Sequence, residues 1–205
     1  TGDRIASAAR EILRRLNTLG IRGVVVNKGW PMAVNRIPAK IWDVSHKIMA
    51  VEAGLGHMGL NRLVLHPRLG GFIALDSILV DGVFDAYDRP LAENPCINCN
   101  LCAAVCPTGA ITKDRPFDFL ACLTHTYRDN FIGFHNWVEA MVTSQDMAGY
   151  RSHFDDRETA LMWQSLMFRM TYRCSYCMAV CPAGEDLAAG YRQNKKLHVE
   201  RILKP

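Results

Sequence analysis

The sequence has no cysteine in its first 95 residues, no low-complexity tract and no long apolar run. Its longest apolar stretch, Phe72 to Val80, is interrupted by Asp76 and Ser77, whereas a membrane-spanning helix needs about 18 or more apolar residues in succession. The N-terminus also lacks the basic and apolar segments of a secretory signal. We therefore expect a cytoplasmic protein without a membrane partner. Because the chain begins at Thr1 rather than Met, we expect further residues upstream.

Composition places the chain among ordinary globular proteins. Of its 205 residues 49% are apolar and 21% are charged, which excludes intrinsic disorder and collagen-like repeats. This apolar content can fill one domain or two small lobes. Trp42, Trp137 and Trp163 are expected to be core residues.

The first part of the chain alternates helical and extended patterns. Residues 3–19 place apolar side chains at helical spacing before Gly20, which predicts an amphipathic helix. The β-branched run at 21–27 predicts a short buried strand. Glycine and proline then predict a loop at 27–39.

A second helix and a hairpin are predicted next. Residues 43–53 have helical spacing, with Asp43 or Ser45 as the N-cap. Two strands are predicted at 62–66 and 72–80, on either side of a turn rich in proline and glycine.

All eight cysteines lie in the second part of the chain. The first motif is Cys-x-x-Cys-x-x-Cys-x-x-x-Cys-Pro, with cysteines at Cys96, Cys99, Cys102 and Cys106. In this bacterial ferredoxin run, three thiolates bind one four-iron cluster and the fourth binds the other cluster. Zinc sites more often use paired Cys-x-x-Cys or Cys/His knuckles. The motif therefore favours an iron–sulfur site over a zinc site or a chance arrangement.

The second motif, Cys174-x-x-Cys177-x-x-x-Cys181-Pro182, is one cysteine short of the first. The isolated Cys122 can supply the missing ligand, although a buried free thiol is the alternative. The crossed binding of ferredoxins then predicts two sets of four cysteines, each for one [4Fe-4S] cluster. The first quartet is Cys96, Cys99, Cys102 and Cys181. The second quartet is Cys106, Cys122, Cys174 and Cys177.

The predicted fold class is α+β. A small α/β lobe at 1–90 is followed by a mainly helical, two-[4Fe-4S] ferredoxin-like cluster domain at 91–186, with the polar segment 81–95 at the boundary. A basic helix or tail follows at 187–205. Two further helices are predicted within the cluster domain, near 135–146 and 157–169.

Three further features leave the function open. The net charge of +4 would be brought near zero by two ligated four-iron clusters, so it is weak evidence for nucleic acid. The basic C-terminal residues predict either a solvated helix face or a docking patch for an acidic electron donor or an RNA. His125, three residues after Cys122, either bonds a cluster sulfur or is a packing residue.

Glycine spacing marks another candidate site. Gly54, Gly56 and Gly59 match the G-x-G-x-x-G pattern, but a dinucleotide site needs a strand before the pattern and a helix after it. The predicted order is the reverse, so the glycines indicate a tight loop in which backbone approaches backbone or a large flat ligand. The flanking His46 and His57 are candidate catalytic residues, as proton donors or metal ligands, unless they are hydrogen-bonded structural histidines.

A resemblance to the epoxyqueuosine reductase and reductive dehalogenase superfamily is carried by the segment at 45–81, SHKIMAVEAGLGHMGLNRLVLHPRLGGFIALDSILVD, and by the cysteine motifs that follow it. The resemblance implies a double four-iron domain that feeds electrons to the cobalt of cobalamin, with ligands that match the two quartets. It further implies that Gly54, Gly56, Gly59 and Asn61 lie near the corrin. No position matches the family's catalytic carboxylate or tyrosine, so the catalytic residue and the substrate, a small molecule or an RNA, stay unknown.

Three functions fit these observations. The first is an iron–sulfur oxidoreductase, or its reducing lobe, that passes single electrons to a cobalamin or another acceptor. The second is a two-cluster electron carrier that docks a partner enzyme. The third is an RNA-binding module with structural clusters. For the first function we expect an electron donor of the ferredoxin or flavodoxin class. The state of assembly stays open between a monomer, a homodimer and a complex with a partner subunit.

Overall fold

The computed structural model describes residues 2–26, 44–169 and 172–203. Within these ranges the chain is rich in helix and has few, short strands, which agrees with the predicted mixed class. It divides into two compact units: unit 1 comprises Thr1–Val105 and Cys177–Pro205, and unit 2 comprises Cys106–Tyr176. This division differs from the predicted boundaries at 90 and 186, because the first cysteine loop belongs to the same unit as the returning chain at 177. None of the described helices is long and apolar enough to span a membrane.

Unit 1 is built from both ends of the chain. Its first segment contains α1 (Gly2–Thr18), β1 (Arg22–Val25), α2 (His46–Glu52), β2 (His57–Met58), β3 (Val64–Leu65), β4 (Ile78–Asp81) and α3 (Leu101–Ala104). Unit 2 contains α4 (Phe119–Thr126), α5 (Phe131–Thr143), α6 (Met147–His153) and α7 (Asp156–Phe168). The chain then forms α8 (Tyr176–Ala179), α9 (Glu185–Gln193) and α10 (Lys195–Leu203).

The first predicted helix is confirmed as α1. On its exposed side Glu11 accepts hydrogen bonds from Arg14 and Arg15, at 2.9 and 2.8 Å. These bonds, that of Arg14 above all, lower the pKa of Glu11 to about 2. The helix is followed by Gly20, whose φ of +80° is readily adopted by glycine and which turns the chain towards β1.

The strand predicted at 21–27 is present as β1, but the prediction that it is buried is wrong. Among the described strands β1 pairs only with β4, antiparallel, with Val24 opposite Leu79. α1 covers the face on which Gly23 lies, since a Cβ there would come within 3.0 Å of a Leu13 methyl group. Val24 lies on the other face and is 57% exposed. A two-stranded ribbon with one covered face leaves half of its side chains in solvent.

The predicted hairpin is also wrong in its pairing. β3 pairs with β2, His57 opposite Leu65 and Met58 opposite Val64, whereas residues 72–77, the first part of the predicted partner strand, do not form a strand. The turn after β3 is closed by two backbone hydrogen bonds of 2.9 Å between His66 and Gly70. The helix predicted at 43–53 is confirmed as α2, with the Ser45 hydroxyl accepting from the Ile48 N–H at 3.4 Å.

Unit 2 contains more helix than the sequence predicted. α5 and α7 correspond to the two predicted helices, and α7 begins with a capping box between Asp155 and Glu158. Trp137 is half-buried and donates a 2.8 Å hydrogen bond to the Tyr150 hydroxyl. Trp163 is 54% exposed, so its predicted core position is wrong. Trp42, Asp43 as an N-cap, and the loop predicted at 27–39 lie outside the described residues.

Candidate iron–sulfur site

The first cysteine motif forms an irregular loop that leads into α3. Asn98 and Asn100 have positive φ angles, 51° and 63°, in the left-handed region that asparagine tolerates better than most residues. The Asn94 side chain fixes the entrance of the loop by accepting a 2.9 Å hydrogen bond from the Cys96 N–H. These left-handed turns alternate with the cysteines and curl the backbone around one cavity.

The second motif returns to the same cavity through a tightly packed turn. Pro182 and Ala183 are almost fully buried, and the Glu185 N–H donates to the Pro67 carbonyl at 3.1 Å. Gly184 has a φ of +106°, and a Cβ on it would lie 2.6 Å from the Arg68 carbonyl oxygen. The turn that follows β3 therefore packs directly against the backbone after Cys181.

The four cysteines of the first quartet line one cavity in unit 1. Its other walls are mostly apolar, and it is also lined by Leu60, Asn61, Leu65, Ile97, Asn98, Asn100, Pro182 and Ala183. Leu65 and Pro182 are the largest fully buried side chains of the described residues. The best-packed part of unit 1 thus surrounds the place where its cysteines meet.

The sulfurs of the first quartet act on one another electrostatically. The pKa of Cys102 is raised to about 12, first by burial and then by the neighbouring Cys99, Cys181 and Cys96. The pKa of Cys181 is also raised, chiefly by burial. Burial and the neighbouring cysteines thus oppose the thiolate form of Cys102 and Cys181, and a bound cation would offset this cost.

A four-iron cluster fits these residues. In the described ranges, no group of three or more His, Cys, Asp or Glu side chains is close enough to hold a single metal ion. The four cysteines are instead distributed around the cavity walls, as ligands of an extended group must be. The donor set is four thiolates, which is the usual set for [4Fe-4S].

Three cysteines of the second quartet lie in unit 2. Burial opposes ionisation of Cys106, but the Thr108 hydroxyl at 3.6 Å and backbone N–H groups of residues 108, 110 and 111 outweigh it and lower its pKa. Cys122 lies in α4, with its sulfur 3.9 Å from the Thr126 hydroxyl. Cys174 lies near the end of the unit, and Cys177 belongs to unit 1. Binding of a second cluster by this quartet stays a prediction.

His125 contacts a tyrosine that sequence reasoning missed. Its Nε2 lies 2.7 Å from the Tyr172 hydroxyl, and the Arg128 guanidinium stacks 3.7 Å from the centre of the Tyr172 ring. Burial, followed by the nearby Cys174 sulfur, raises the pKa of Tyr172 to about 12. Burial and Arg128 lower the pKa of His125. The signal was the position of this tyrosine, two residues before a candidate ligand.

The glycines at 54, 56 and 59 are required by close packing within unit 1. A Cβ on Gly54 would lie 2.5 Å from the Arg89 carbonyl oxygen, and one on Gly56 would lie 2.5 Å from that of Leu65. A Cβ on Gly59 would meet the Leu65 side chain at 2.6 Å. The segment has α2 before it and β2 after it, which is the order that argues against a dinucleotide site. Its predicted contact with cobalamin stays a prediction.

The two candidate catalytic histidines both have hydrogen-bond partners. His46 Nδ1 lies 2.9 Å from the Ser77 hydroxyl, and His57 Nδ1 lies 3.4 Å from the Met58 carbonyl oxygen. Neither lines the first-quartet cavity. A catalytic role for them stays a prediction.

A second cavity lies within unit 2. Its walls include Arg128, Asp129 and Glu158. Arg128 and Asp129 approach to 3.4 Å, and Glu158 accepts from the Asp155 N–H at 3.1 Å. These charges thus have partners within the unit.

Comparison with known proteins identifies the cysteine motif and relatives of the chain. Residues 93–112 match the family model described as a 4Fe-4S binding domain. The chain is similar to epoxyqueuosine reductase from Cyclobacterium marinum, with 33% identity over 51% of this chain and 36% of the relative. It is also similar to the enzyme of the same name from a Synechococcus species, with 31% identity over 60% of this chain and 38% of the relative. The chain thus spans little more than a third of these relatives.

Solved structures show a similar fold. A crystal structure of selenomethionine-labelled epoxyqueuosine reductase gives a TM-score of 0.52 at 20% identity, over 90% of this chain and 39% of the other. A crystal structure of epoxyqueuosine reductase with an epoxyqueuosine-modified tRNA-Tyr stem loop gives a TM-score of 0.50 at 20% identity, over 90% of this chain and 39% of the other. These comparisons confirm the resemblance to epoxyqueuosine reductases that the sequence motifs indicate.

Proposed function

We propose that this chain is the electron-transferring part of an iron–sulfur oxidoreductase, with a four-iron cluster at each quartet. The cavity of unit 1 carries the proposal, because it brings Cys181 together with three cysteines some eighty residues earlier in the sequence. The match of residues 93–112 to a 4Fe-4S domain supports the chemistry. The similarity to enzymes named reductases supports the reaction class.

The residues of unit 1 have defined tasks in this function. A four-iron cluster, when bound, accepts and gives up single electrons. Leu60, Leu65, Ile97 and Pro182 exclude water from the cavity, and burial of the site is one of the factors that set its reduction potential. The left-handed loop and the packed turn hold the cysteine backbone in place before and after electron transfer.

Electrons would enter from a donor of the ferredoxin or flavodoxin class. Such donors are acidic, and α9 and α10 carry exposed basic side chains on the described C-terminal part of the chain. Arg192, Lys195 and Lys196 are among them. Charge complementarity of this kind accelerates association and makes it sensitive to salt.

The acceptor is a cobalamin or another one-electron acceptor. Among the described residues, Gly54, Gly56 and Gly59 offer no cradle for a corrin, since each is filled by the backbone or side chains of unit 1 itself. The same observation favours a second candidate function, a two-cluster electron carrier that delivers electrons to a separate enzyme.

Metal analysis distinguishes these functions. The protein is produced with cobalamin in the medium, purified without oxygen and analysed for iron, acid-labile sulfide and cobalt. About eight irons per chain are expected from two Cys₄ sites. About one cobalt would support the cobalamin-dependent oxidoreductase, and no cobalt would support the carrier. About four irons would remove the second cluster from the proposal, and none would refute it.

A substrate assay follows from the relatives. One solved epoxyqueuosine reductase holds an epoxyqueuosine-modified tRNA stem loop. That stem loop is therefore the first RNA to test, with reduced ferredoxin or flavodoxin as the donor. Turnover by this chain alone would establish an enzyme. Salt-sensitive binding of the RNA to a protein whose clusters are not oxidised or reduced in the assay would instead favour the RNA-binding module.

A further inference from the structure

The two C-terminal helices are attached to the backbone beside Cys181 at two points. α9 begins four residues after Cys181 in the sequence. A single residue, Asn194, separates α9 from α10, and its side-chain oxygen accepts a 2.9 Å hydrogen bond from the Leu197 N–H. From α10, His198 reaches the carbonyl of Val180, the residue before Cys181. Both helices therefore belong to the part of unit 1 that supplies the fourth ligand of the first quartet.

The contact made by His198 has a defined geometry. Its Nε2 lies 3.2 Å from the Val180 carbonyl oxygen, and a carbonyl can only accept, so Nε2 carries a hydrogen. The same ring packs edge to face on Tyr191 of α9, with the ring centres 5.3 Å apart. Val180 and Tyr191 are both buried. His198 thus joins α10, α9 and the backbone of the second cysteine motif.

The solvent side of these two helices is positively charged. Between 192 and 201 the sequence holds four lysines or arginines and a single acidic residue, Glu200. Lys196 lies 4.0 Å from Glu200, which can offset only one of the four charges. The Lys195 Nζ lies 5.8 Å from the centre of the Tyr191 ring, which in turn packs on His198. All four cations are exposed, and we name them the basic surface: Arg192, Lys195, Lys196 and Arg201.

Charge and position together favour an electron donor as the partner of this surface. Clustered cations attract an acidic protein and speed its association. They would also attract RNA, but RNA binding needs no connection to a redox centre. Electron transfer does need one, because its rate falls steeply with distance. The path from Lys195 through Tyr191, His198 and the Val180 carbonyl to Cys181 is short.

We propose that the basic surface is the docking site of an acidic one-electron donor protein, and that His198 is the positioning residue that holds it against the first-quartet site. The inference rests on the proposed function, since it requires a cluster at the first quartet, and it adds the place where electrons enter. In each transfer the reduced donor loses one electron and the cluster gains it, and no bond forms or breaks.

The test is anaerobic stopped-flow reduction of the iron-loaded full chain by a flavodoxin in its hydroquinone form, followed by the visible absorption of the clusters. Arg192→Glu together with Lys195→Glu reverses two charges of the basic surface. At low salt the second-order rate constant should fall about tenfold or more. The difference from the unmodified protein should shrink as salt is added.

Arg4→Glu together with Arg10→Glu is the matched control. It changes the net charge by the same amount at two exposed positions of α1. Its rate constant should stay close to that of the unmodified protein. Photoreduced deazaflavin, a small reductant that needs no protein docking site, should reduce all of these proteins at the same rate.

The role of His198 is tested at saturating flavodoxin. His198→Phe keeps a ring against Tyr191 and removes the N–H that Val180 accepts, so the limiting rate should fall severalfold. His198→Gln retains an N–H donor and should recover most of that rate. Cluster potentials from a redox titration should be unchanged in both variants, because the substitutions alter the route into the site and not its ligands.

The outcomes separate the inference from the proposed function. Absence of cluster absorption in the unmodified protein would refute the proposed function. Clusters that deazaflavin reduces, with a flavodoxin rate that is unchanged in the Arg192 and Lys195 variant or equally slow in the control, would overturn only the docking site. Loss of RNA binding in that variant with an unchanged flavodoxin rate would also overturn it and assign the surface to RNA.

Two outcomes would overturn the positioning role of His198. One is an unchanged limiting rate in His198→Phe. The other is loss of the clusters in that variant, which would assign His198 to folding. The charge-reversed variants test the docking site in either case, since they leave His198 and its contacts with Val180 and Tyr191 in place.

Discussion

Substitution of Gly184 by alanine tests whether the turn after Cys181 holds the cluster cavity together. Gly184 has φ +106° and ψ 145°, which non-glycine residues adopt at a cost of about 1–3 kcal/mol. The new Cβ would also lie 2.6 Å from Arg68 O and 2.7 Å from Gly70 N. To reach ordinary contact the two backbones must separate by nearly 1 Å, and such overpacking costs about another 1–3 kcal/mol.

Gly20→Ala is the matched control for this substitution. Gly20 also has a positive φ, +80°, but nothing lies within 4 Å of its Cβ position. Gly20→Ala should therefore lower the free energy of unfolding only by the conformational cost, about 1–2 kcal/mol. The variant should retain its iron. Gly184→Ala should lower the free energy of unfolding by about 2–6 kcal/mol. This variant should also bind the first-quartet cluster less firmly.

The assay is anaerobic denaturant unfolding of the iron-loaded protein, followed by the visible absorption of the clusters. Iron content after purification is measured on the same samples. The expected order of midpoints is unmodified protein, then Gly20→Ala, then Gly184→Ala. Equal midpoints and equal iron content for the two variants would refute the close packing inferred between this turn and the turn after β3.

Three further predictions concern the ligands, a helix cap and a surface carboxylate. Cys106→Ala should retain about four irons and the EPR signal of the first-quartet cluster although it lies in the first motif, and Cys102→Ala should lose that signal; the reverse result would contradict crossed ligation. Asp155→Ala removes the N-cap of α7 and should lower stability by about 1 kcal/mol, measured by thermal unfolding against Asp156→Ala, which leaves the capping box intact. Because its folded pKa is depressed to about 2 by Arg14 and Arg15, Glu11 adds a contribution to stability that is present above pH 4.5 and lost as the pH falls towards 2. Glu11→Gln should flatten the stability profile in that window, by an amount that salt reduces because both ion pairs lie at the surface. An unchanged profile would show that the pairs with Arg14 and Arg15 contribute nothing.

Local signals in the sequence were sufficient for α1, α2, α5 and α7 and for the three clustered cysteines of the first quartet. The helical spacing of apolar residues predicted α1. Serine is a favourable N-cap residue, and the Ser45 hydroxyl caps α2. The spacing of the first motif pointed to three cysteines on one cavity, and the left-handed loop that achieves this uses Asn98 and Asn100, which are well suited to it.

Long-range features could not be predicted in the same way. β3 pairs with β2 over only two residues, too short for any alternation of apolar and polar side chains to specify the register. Val24 is exposed because α1 covers only one face of the two-stranded ribbon. The residues of the strand do not encode how much of the ribbon is covered. Asn61 donates a hydrogen bond to the carbonyl of Cys177, more than one hundred residues away, so no local pattern identified its place in the cavity wall.

The discontinuous composition of unit 1 governs when its cluster site can be completed during synthesis. Cys96, Cys99 and Cys102 leave the ribosome first, and unit 2 is made before Cys181 appears. The site therefore has only three of its four ligands while the 78 residues between Cys102 and Cys181 are translated. Closing a loop of that size costs little more entropy than closing one half as long, about 0.6 kcal/mol per doubling. The length of unit 2 can therefore vary at small thermodynamic cost. Iron can bind at the complete first-quartet site only after Cys181 has emerged from the ribosome.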